Sequence, residues 1–375
     1  MNSLKKSTEA VDRRHMMVAL TLARRSLGNV WPNPAVGCVI VGADRSVVGR
    51  GWTKPGGRPH AETEALKQAG SWAKGSTAYV TLEPCSHYGE TPPCAEALIA
   101  ADVARVVIAI DDPDARVSGR GIAMLKDAGI DVEIGVCAAA AKKINAGFLL
   151  HRREGRPLVT LKTASTLDAR IATHGGQSQW ITGEEARRRG HLLRKTHDAI
   201  VVGIGTALAD DPELTCRLPG MEGDSPVRVV VDTHLRLPLK SKVVQSAKKV
   251  PTWVVVSTET NMERQDNYAQ FGVEFIRVAP GLGNHPEALS VLKALAARGL
   301  TRLLVEGGGA LSAVFLRARL VDRLAWFRAP SVIGGDGMPV FGPYGVNQLS
   351  DMRRFVLESI EPLGKDMLET YRAAD

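Results

Sequence analysis

Three residues constrain this chain more than any others. His60, Cys85 and Cys94 supply one imidazole and two thiols, a set that suits a tetrahedral zinc with one position left open. They lie far apart in sequence, so the fold must gather separate segments around one point. An open position matters because zinc lowers the pKa of a bound water enough to make hydroxide available near neutral pH. Glu62 stands two residues past His60, where a carboxylate can shuttle that water's protons. The alternative is a structural zinc, which closes with four protein ligands. His87 is the available fourth, but that reading leaves Glu62 and the proline before Cys85 unexplained.

The order His-x-Glu, Pro-Cys, Cys is the signature of zinc-dependent deaminases and implies a hydrolytic deaminase. At 375 residues the chain exceeds one ordinary core, which implies two domains. Hydrophobic residues at 44% and charged residues at 23% are ordinary for a soluble globular protein, and no apolar run is long enough for a bilayer. The polar opening, residues 1–10, lacks the apolar core of a secretory signal and predicts a cytoplasmic location. Five scattered cysteines argue against a disulfide framework and leave Cys85 and Cys94 for metal. Cys38 and Cys137 read as small buried hydrophobes. The net charge of +8 is dispersed, with no aromatic interleaving, so it argues against nucleic acid and suits phosphate-bearing small molecules. Arg187, Arg188 and Arg189 read as a solvated helix face.

Apolar spacing predicts a helix over 12–27, strands over 35–41 and 46–51, a helix over 60–68 and a strand over 77–82. Helices over 91–101, 119–128 and 138–150 alternate with strands over 105–110 and 130–134. The alternation implies a sheet with helices on its faces. The charged stretch 151–157, with Gly155 and Pro157, is the best domain boundary. Beyond it, strands are expected over 158–162, 199–202, 227–231, 253–257, 275–278 and 302–305, with helices over 184–195 and 286–297. Asn33, between two prolines, is either a turn-former or a partner for a heterocycle. The run Val305-Glu306-Gly307-Gly308-Gly309-Ala310 follows a strand and precedes a helix. It is either a phosphate cradle or a tight packing turn. The segments 178–183, 203–206 and 210–212 suit ribose or phosphate contacts, with capping and turn-making as the ordinary alternatives.

The runs Pro32-Asn33-Pro34-Ala35-Val36-Gly37, His60-Ala61-Glu62 and Glu83-Pro84-Cys85-Ser86-His87-Tyr88-Gly89, with Thr91-Pro92-Pro93-Cys94, resemble the bifunctional riboflavin-biosynthesis deaminase/reductase family. The insert from Ser86 to Pro93 is longer than the two residues most cytidine-type deaminases carry between their cysteines. Lys162-Thr163-Ala164-Ser165, Ser178-Gln179-Trp180-Ile181-Thr182-Gly183, Asp210-Asp211-Pro212-Glu213-Leu214-Thr215 and Val305-Glu306-Gly307-Gly308 resemble its reductase domain. The resemblance therefore spans nearly the whole chain. It implies an α/β protein, with a cytidine-deaminase-like α/β/α sandwich over 1–154 and a dihydrofolate-reductase-like α/β domain over 155–375. It implies one zinc on His60, Cys85 and Cys94, Glu62 as proton shuttle, and Asn33, His87 and Asp112 as substrate contacts. In the second domain it implies NADPH held by Ala164, Trp180, Thr206, Asp210, Thr233, Gly308, Gly309 and Ala310. Substrate would be held there by Ser178, Arg194, Leu214, Arg217 and Glu306, with Lys162 and Glu306 as the catalytic polar groups beside the sugar.

The implied substrate is a diaminopyrimidinone ribosylamine 5′-phosphate, deaminated and then reduced to the ribityl product, and the implied assembly is a homodimer. Three positions differ from the family's usual pattern: Glu90 replaces a basic residue, Asp114 an asparagine and Ala169 a glycine. Arg116 is the expected substitute for the missing basic contact to phosphate, and Ala169 is expected to cost only a slight backbone adjustment. The competing readings are a nucleic-acid base deaminase, a deaminase of another small heterocycle with a degenerate reductase domain, and a zinc-stabilised binding protein.

Overall fold

The structure, a computed structural model, describes residues 2–374 except 89–91, 114–117, 282 and 284; for 2–7 and Met262 it describes the backbone alone. The chain divides into two compact units, Met1–Glu154 and Gly155–Asp375. Among the described residues no helix is long and apolar enough to cross a membrane.

The first unit runs α1 (Asn2–Ala23), β1 (Gly37–Val41), β2 (Val47–Trp52), α2 (Ala61–Ala69), β3 (Thr77–Val80), α3 (Cys94–Ala100), β4 (Arg105–Ile108), α4 (Arg120–Asp127), β5 (Asp131–Ile134), α5 (Ala138–Ile144) and α6 (Ala146–Glu154). Its sheet has the order β2-β1-β3-β4-β5, antiparallel through β3 and parallel from β3 to β5. All of β1 is buried, which is why it reads as an unbroken apolar run rather than an alternating one. Two close approaches put helices on opposite faces. A Cβ on Gly37 would lie 1.9 Å from the Ala19 carbonyl of α1, and one on Gly51 would lie 2.0 Å from the Ala61 carbonyl of α2. Gly51 pairs with Cys38, the neighbour of Gly37, so the two glycines face opposite sides of the sheet. Helix α1 starts ten residues before the expected position. Residues 8–11 are exposed and burial begins at Asp12, so the first turns carry no apolar period to read. The single helix expected over 138–150 is two, broken at Asn145. Its buried side chain accepts from the Ala35 N–H at 2.9 Å and donates to the Ala35 carbonyl at 3.0 Å. Helix α6 also runs through most of the expected linker, to Glu154.

The second unit contains β6 (Leu158–Ser165), β7 (Arg170–Ala172), α7 (Glu184–Lys195), β8 (Ala199–Gly203), α8 (Ile204–Asp210), β9 (Val227–Val231), α9 (Lys242–Gln245), β10 (Thr252–Ser257), α10 (Asp266–Ala269), β11 (Val273–Val278), α11 (Ala288–Ala297), β12 (Arg302–Val305), α12 (Gly309–Arg317), β13 (Arg323–Arg328), β14 (Met338–Pro339), β15 (Phe355–Leu363) and β16 (Asp366–Ala373). The main sheet has the order β11-β10-β9-β8-β12-β6-β13-β16-β15. It is parallel from β11 to β13 and antiparallel over the last two pairings. From β8 the chain moves outward through β9 to β11, whereas from β12 it moves the other way to β13. The order therefore reverses between β8 and β12. Crevices outside the carboxyl ends of strands at such a reversal are where open α/β sheets bind ligands. The sequence reading found the buried parallel strands and missed β13, β15 and β16. These carry charged residues, and β15 lies at the sheet edge with most of its side chains in solvent.

Candidate active sites in the two units

The first site is assembled by three segments. His60 is the N-cap residue of α2, which places Glu62 in the first helical turn with its side chain buried. Strand β3 delivers Pro84 and Cys85, and Cys94 opens α3. The ligand atoms of His60, Cys85 and Cys94 lie within 4.8 Å of one another, and among the described residues they are the group placed to hold a metal ion. Nδ1 of His60 is 3.2 Å from Sγ of Cys94 and 3.6 Å from Sγ of Cys85. Zinc bonds of ordinary length would set a tetrahedral N–S edge of about 3.6 Å, so the donors fit zinc. His87 is outside this group, so among the described residues the set is three ligands. The Cys94 N–H donates to Sγ of Cys85 at 3.3 Å. Hydrogen bonds from Cys94 and His60 hold the Cys85 thiol well below its usual range, while sharing with Cys85 and burial push Cys94 up. Burial raises the Glu62 carboxyl to about 7, against the pull of His60.

A cavity opens onto this cluster, lined by Asn33, Arg58, His60, Glu62, Glu83, Cys85, His87, Asp112 and Arg152 among others. Gly57, at φ +86°, makes room for Asn33: a Cβ there would lie 2.0 Å from the Asn33 amide nitrogen. Nδ1 of His87 is buried with no hydrogen-bond partner, as suits a group kept for a ligand. Asn33, His87 and Asp112 thus share one pocket with the metal-ligand set. Glu90, Asp114 and Arg116 lie outside the described residues. Sequence reasoning passed over Glu83. Its buried carboxylate accepts from Asp112 N (3.2 Å), Gly119 N (3.0 Å), Gly121 N (3.0 Å) and Ile122 N (3.2 Å). The residue beside Cys85's proline therefore caps α4 and fixes where Asp112 stands. Its position before Pro84 was the only hint.

In the second unit a cavity of about 440 Å³ is lined by Lys162, Ala164, Ser178, Trp180, Arg194, Arg217 and Glu306, together with Arg187 and His191. Glu306 is its centre. Arg194 grips the carboxylate with two N–H···O bonds of 2.8 and 3.0 Å and also donates to the Thr215 carbonyl at 2.9 Å. Nζ of Lys162 stands 3.6 Å from the same carboxylate. Burial would raise the Glu306 pKa, but Arg194 and Lys162 outweigh it and hold the group at about 2.

Of the remaining residues, Thr206 and the glycine turn meet at the sheet reversal. The Gly308 N–H, at the N-cap of α12, donates to Oγ1 of Thr206 in α8 at 3.2 Å. Gly309 lies against Gly342, where a Cβ would come within 3.0 Å of the backbone nitrogen. This glycine turn is thus needed for close packing, and it also sets two helix N-termini side by side. That arrangement fits the phosphates of a dinucleotide. Ala310 follows in α12, and Asp210 ends α8 at the surface. Thr233, just past β9, bonds His285 at 3.2 Å. Leu214, at φ +56°, puts its side chain into the core, so its backbone is what it can offer a ligand. Arg228, also passed over, is fully buried and donates to the Glu213 carbonyl at 3.2 Å, fixing the loop that carries Leu214 and Arg217.

Comparison with known proteins agrees in both units. Residues 9–110 match the cytidine and deoxycytidylate deaminase zinc-binding region, and residues 157–368 match the RibD C-terminal domain. The riboflavin biosynthesis protein RibD of Bacillus amyloliquefaciens is 41% identical over 94% of both chains. That of Escherichia coli is 39% identical over 95% of this chain and 98% of its own. Among solved structures, Acinetobacter baumannii RibD superposes with a TM-score of 0.87 at 38% identity, covering 98% of this chain and all of that one. A diaminohydroxyphosphoribosylaminopyrimidine deaminase/5-amino-6-(5-phosphoribosylamino)uracil reductase from Thermotoga maritima gives 0.86 at 34%, with the same coverage. The chain belongs to the RibD family, and it is a bifunctional deaminase and reductase of riboflavin biosynthesis with a zinc-binding deaminase region.

Proposed function

We propose that residues 1–154 deaminate 2,5-diamino-6-ribosylamino-4(3H)-pyrimidinone 5′-phosphate and that residues 155–375 reduce the product's ribosyl chain to ribityl. The observation that carries this is the convergence of His60, Cys85 and Cys94 beside a buried, protonatable Glu62. Those three residues hold zinc, which when bound supplies a Lewis acid that activates water at neutral pH. Glu62 takes the attacking water's proton and returns it to the departing amine, so that ammonia leaves and a carbonyl remains. Asn33, His87 and Asp112 hold the pyrimidinone ring edge.

In the second unit Ala164, Trp180, Thr206, Asp210, Thr233, Gly308, Gly309 and Ala310 hold NADPH, which when bound supplies the hydride. Ser178, Arg194, Leu214, Arg217 and Glu306 hold the substrate. A carboxylate held at about 2 does not trade protons near neutrality, so Glu306 acts as a fixed acceptor for a sugar hydroxyl. Lys162 is the proton-bearing partner and polarises the sugar oxygen during reduction. The enzyme works in the cytoplasm on this phosphorylated pyrimidine and assembles as a homodimer. The unpaired edge of β15, which exposes Val356, Leu357 and Ile360, supports self-association. The test is mass spectrometry of the product made by zinc-loaded protein with and without NADPH. Amine-to-carbonyl exchange is expected without it, and added hydrogen with it. Reduction without prior deamination, or no change at all, would overturn the reading.

A further inference from the structure

We propose that Arg58 and Arg152 form the phosphate-receiving end of the first pocket, in the role left open by the acidic residue at position 90. The proposal rests on reading that pocket as the deaminase site for a ribosylamine phosphate. A phosphomonoester near neutrality carries close to two negative charges and calls for cationic donors. The pocket's walls include three carboxylates, Glu62, Glu83 and Asp112, which taken alone would repel such a group. Arg58 and Arg152 line the same cavity and set two cations against those three carboxylates.

The two arginines arrive from separate parts of the fold. Arg58 follows the turn at Gly56 and Gly57, two residues before His60. Arg152 lies in the last turn of α6, with its guanidinium 5.4 Å from the ring centre of Phe148, a buried residue of the unit's core. Helix α6 is itself tied to the substrate-facing loop, because Asn145 at its start makes both of its bonds to Ala35, two residues from Asn33. The cation at the pocket wall is thus held in a fixed relation to the ring-binding asparagine. A guanidinium fork matches two phosphate oxygens at once, so two forks can take up one phosphate without a lysine.

The experiment uses the full-length, zinc-loaded chain and its Arg58→Ala, Arg152→Ala and double variants. Deamination is measured with the ribosylamine phosphate and with its dephosphorylated counterpart. Each single variant is expected to raise KM for the phosphate form by about 10- to 100-fold, with kcat within about threefold and no change for the dephosphorylated form. Arg152→Lys should recover part of the loss. A KM that rises equally for both substrates, or for neither, overturns the proposal, since a merely structural role is blind to the phosphate. A second readout does not depend on turnover. In an Arg217→Ala background, which weakens the second unit's substrate site, ribose 5-phosphate is titrated and its ³¹P line width followed. Broadening that disappears in the double variant supports the phosphate site even if the chain deaminates nothing, in which case the functional reading fails and this one stands. Broadening that survives in the double variant overturns it.

Discussion

Glu62 and Glu306 are the same residue type, and each has little access to solvent. Burial pushes both upward, yet the surrounding protein groups set one at about 7 and the other at about 2. The difference is their company. Glu62 has His60 as the main group opposing burial while Cys85 adds to it, whereas Glu306 faces two cations, one of them bidentate. The first arrangement makes a carboxylate that can carry a proton, and the second makes a permanent anion. The two candidate sites thus set the same side chain to opposite ends.

Replacing each glutamate tests that contrast. Glu62→Gln keeps the shape and removes the proton carrier. Deaminase kcat is expected to fall by roughly 10²- to 10⁴-fold, while zinc content and NADPH-dependent reduction of the deaminated intermediate stay as in the parent. Separate assays of the two half-reactions with metal analysis check this. A variant that keeps deaminase activity would remove Glu62 from the chemistry and bring back the binding-protein reading. Glu306→Ala has a different signature, because it strands Arg194 and Lys162 in a largely buried place. Removing one partner of such a network costs about 3–5 kcal/mol, so urea unfolding should show the loss in stability as well as lost reduction. Deamination by the other site should survive under conditions where the protein remains folded. Equal damage to both half-reactions at low urea would contradict the contrast.

The second unit should also lose stability in acid. In the second unit, Glu306 is held at about 2 against an ordinary value of 4.5. A depressed carboxylate gives stability that is present above 4.5 and is lost as pH falls through 2. His197 is buried and neutral, bonded to Thr160 Oγ1 at 2.8 Å and to the Leu193 carbonyl at 2.6 Å. Burial holds its pKa at about 3 against an ordinary 6.5. Its unfolded form takes up a proton first, so stability is whole above 6.5 and drains away as pH falls from 6.5 to 3. At about 1.4 kcal/mol per pH unit in that window, the loss reaches a few kcal/mol. Urea midpoints measured from pH 7 to pH 4 should therefore fall, and His197→Gln should flatten the slope. A slope equal to the parent's would assign the acid lability elsewhere.

Glu83→Gln is a smaller test, confined to the first site. The amide keeps one oxygen for four N–H donors and turns its own N–H₂ toward others, so about 1–3 kcal/mol is expected to go. Because those donors position Asp112, KM for deamination should rise several-fold with reduction unchanged. Unchanged deaminase kinetics would make Glu83 a cap on α4 and nothing more.

What the sequence disclosed depended on whether a residue's chemistry faces outward from its segment or inward. His60, Cys85, Cys94 and Glu62 carry their signal in type and spacing, so the metal site was readable before any fold was known. The buried parallel strands β8, β9, β10 and β12 announced themselves as apolar runs, since both faces are covered. Strands β15 and β16 are paired antiparallel at the sheet edge and β13 joins them to the parallel strands, and their charges hid all three. Glu83 and Arg228 were hidden for another reason. Most of their partners are backbone groups of other segments, and a backbone N–H or carbonyl has no identity in sequence. The triple-glycine turn was ambiguous for the same cause, because packing and phosphate binding both ask for glycine.

The smallest effect concerns the one departure whose backbone is described. Ala169 was expected to be absorbed by a slight adjustment, but it takes φ +58°, the left-handed conformation that glycine would take freely. The turn is held there from both sides. Asp168 accepts from Ile333 N and Gly334 N, while Val340 N donates to the Ala169 carbonyl at 2.9 Å. An alanine in this region costs about 1–2 kcal/mol. Glycine would relieve that and give back about 0.4–1 kcal/mol through the greater freedom of the unfolded chain. Ala169→Gly should therefore stabilise the second unit by about 0.5 kcal/mol, visible as a slightly higher urea midpoint, and leave both activities unaltered. A destabilised variant would show that the neighbouring bonds to Asp168, rather than the conformation of residue 169, set the energy of this turn.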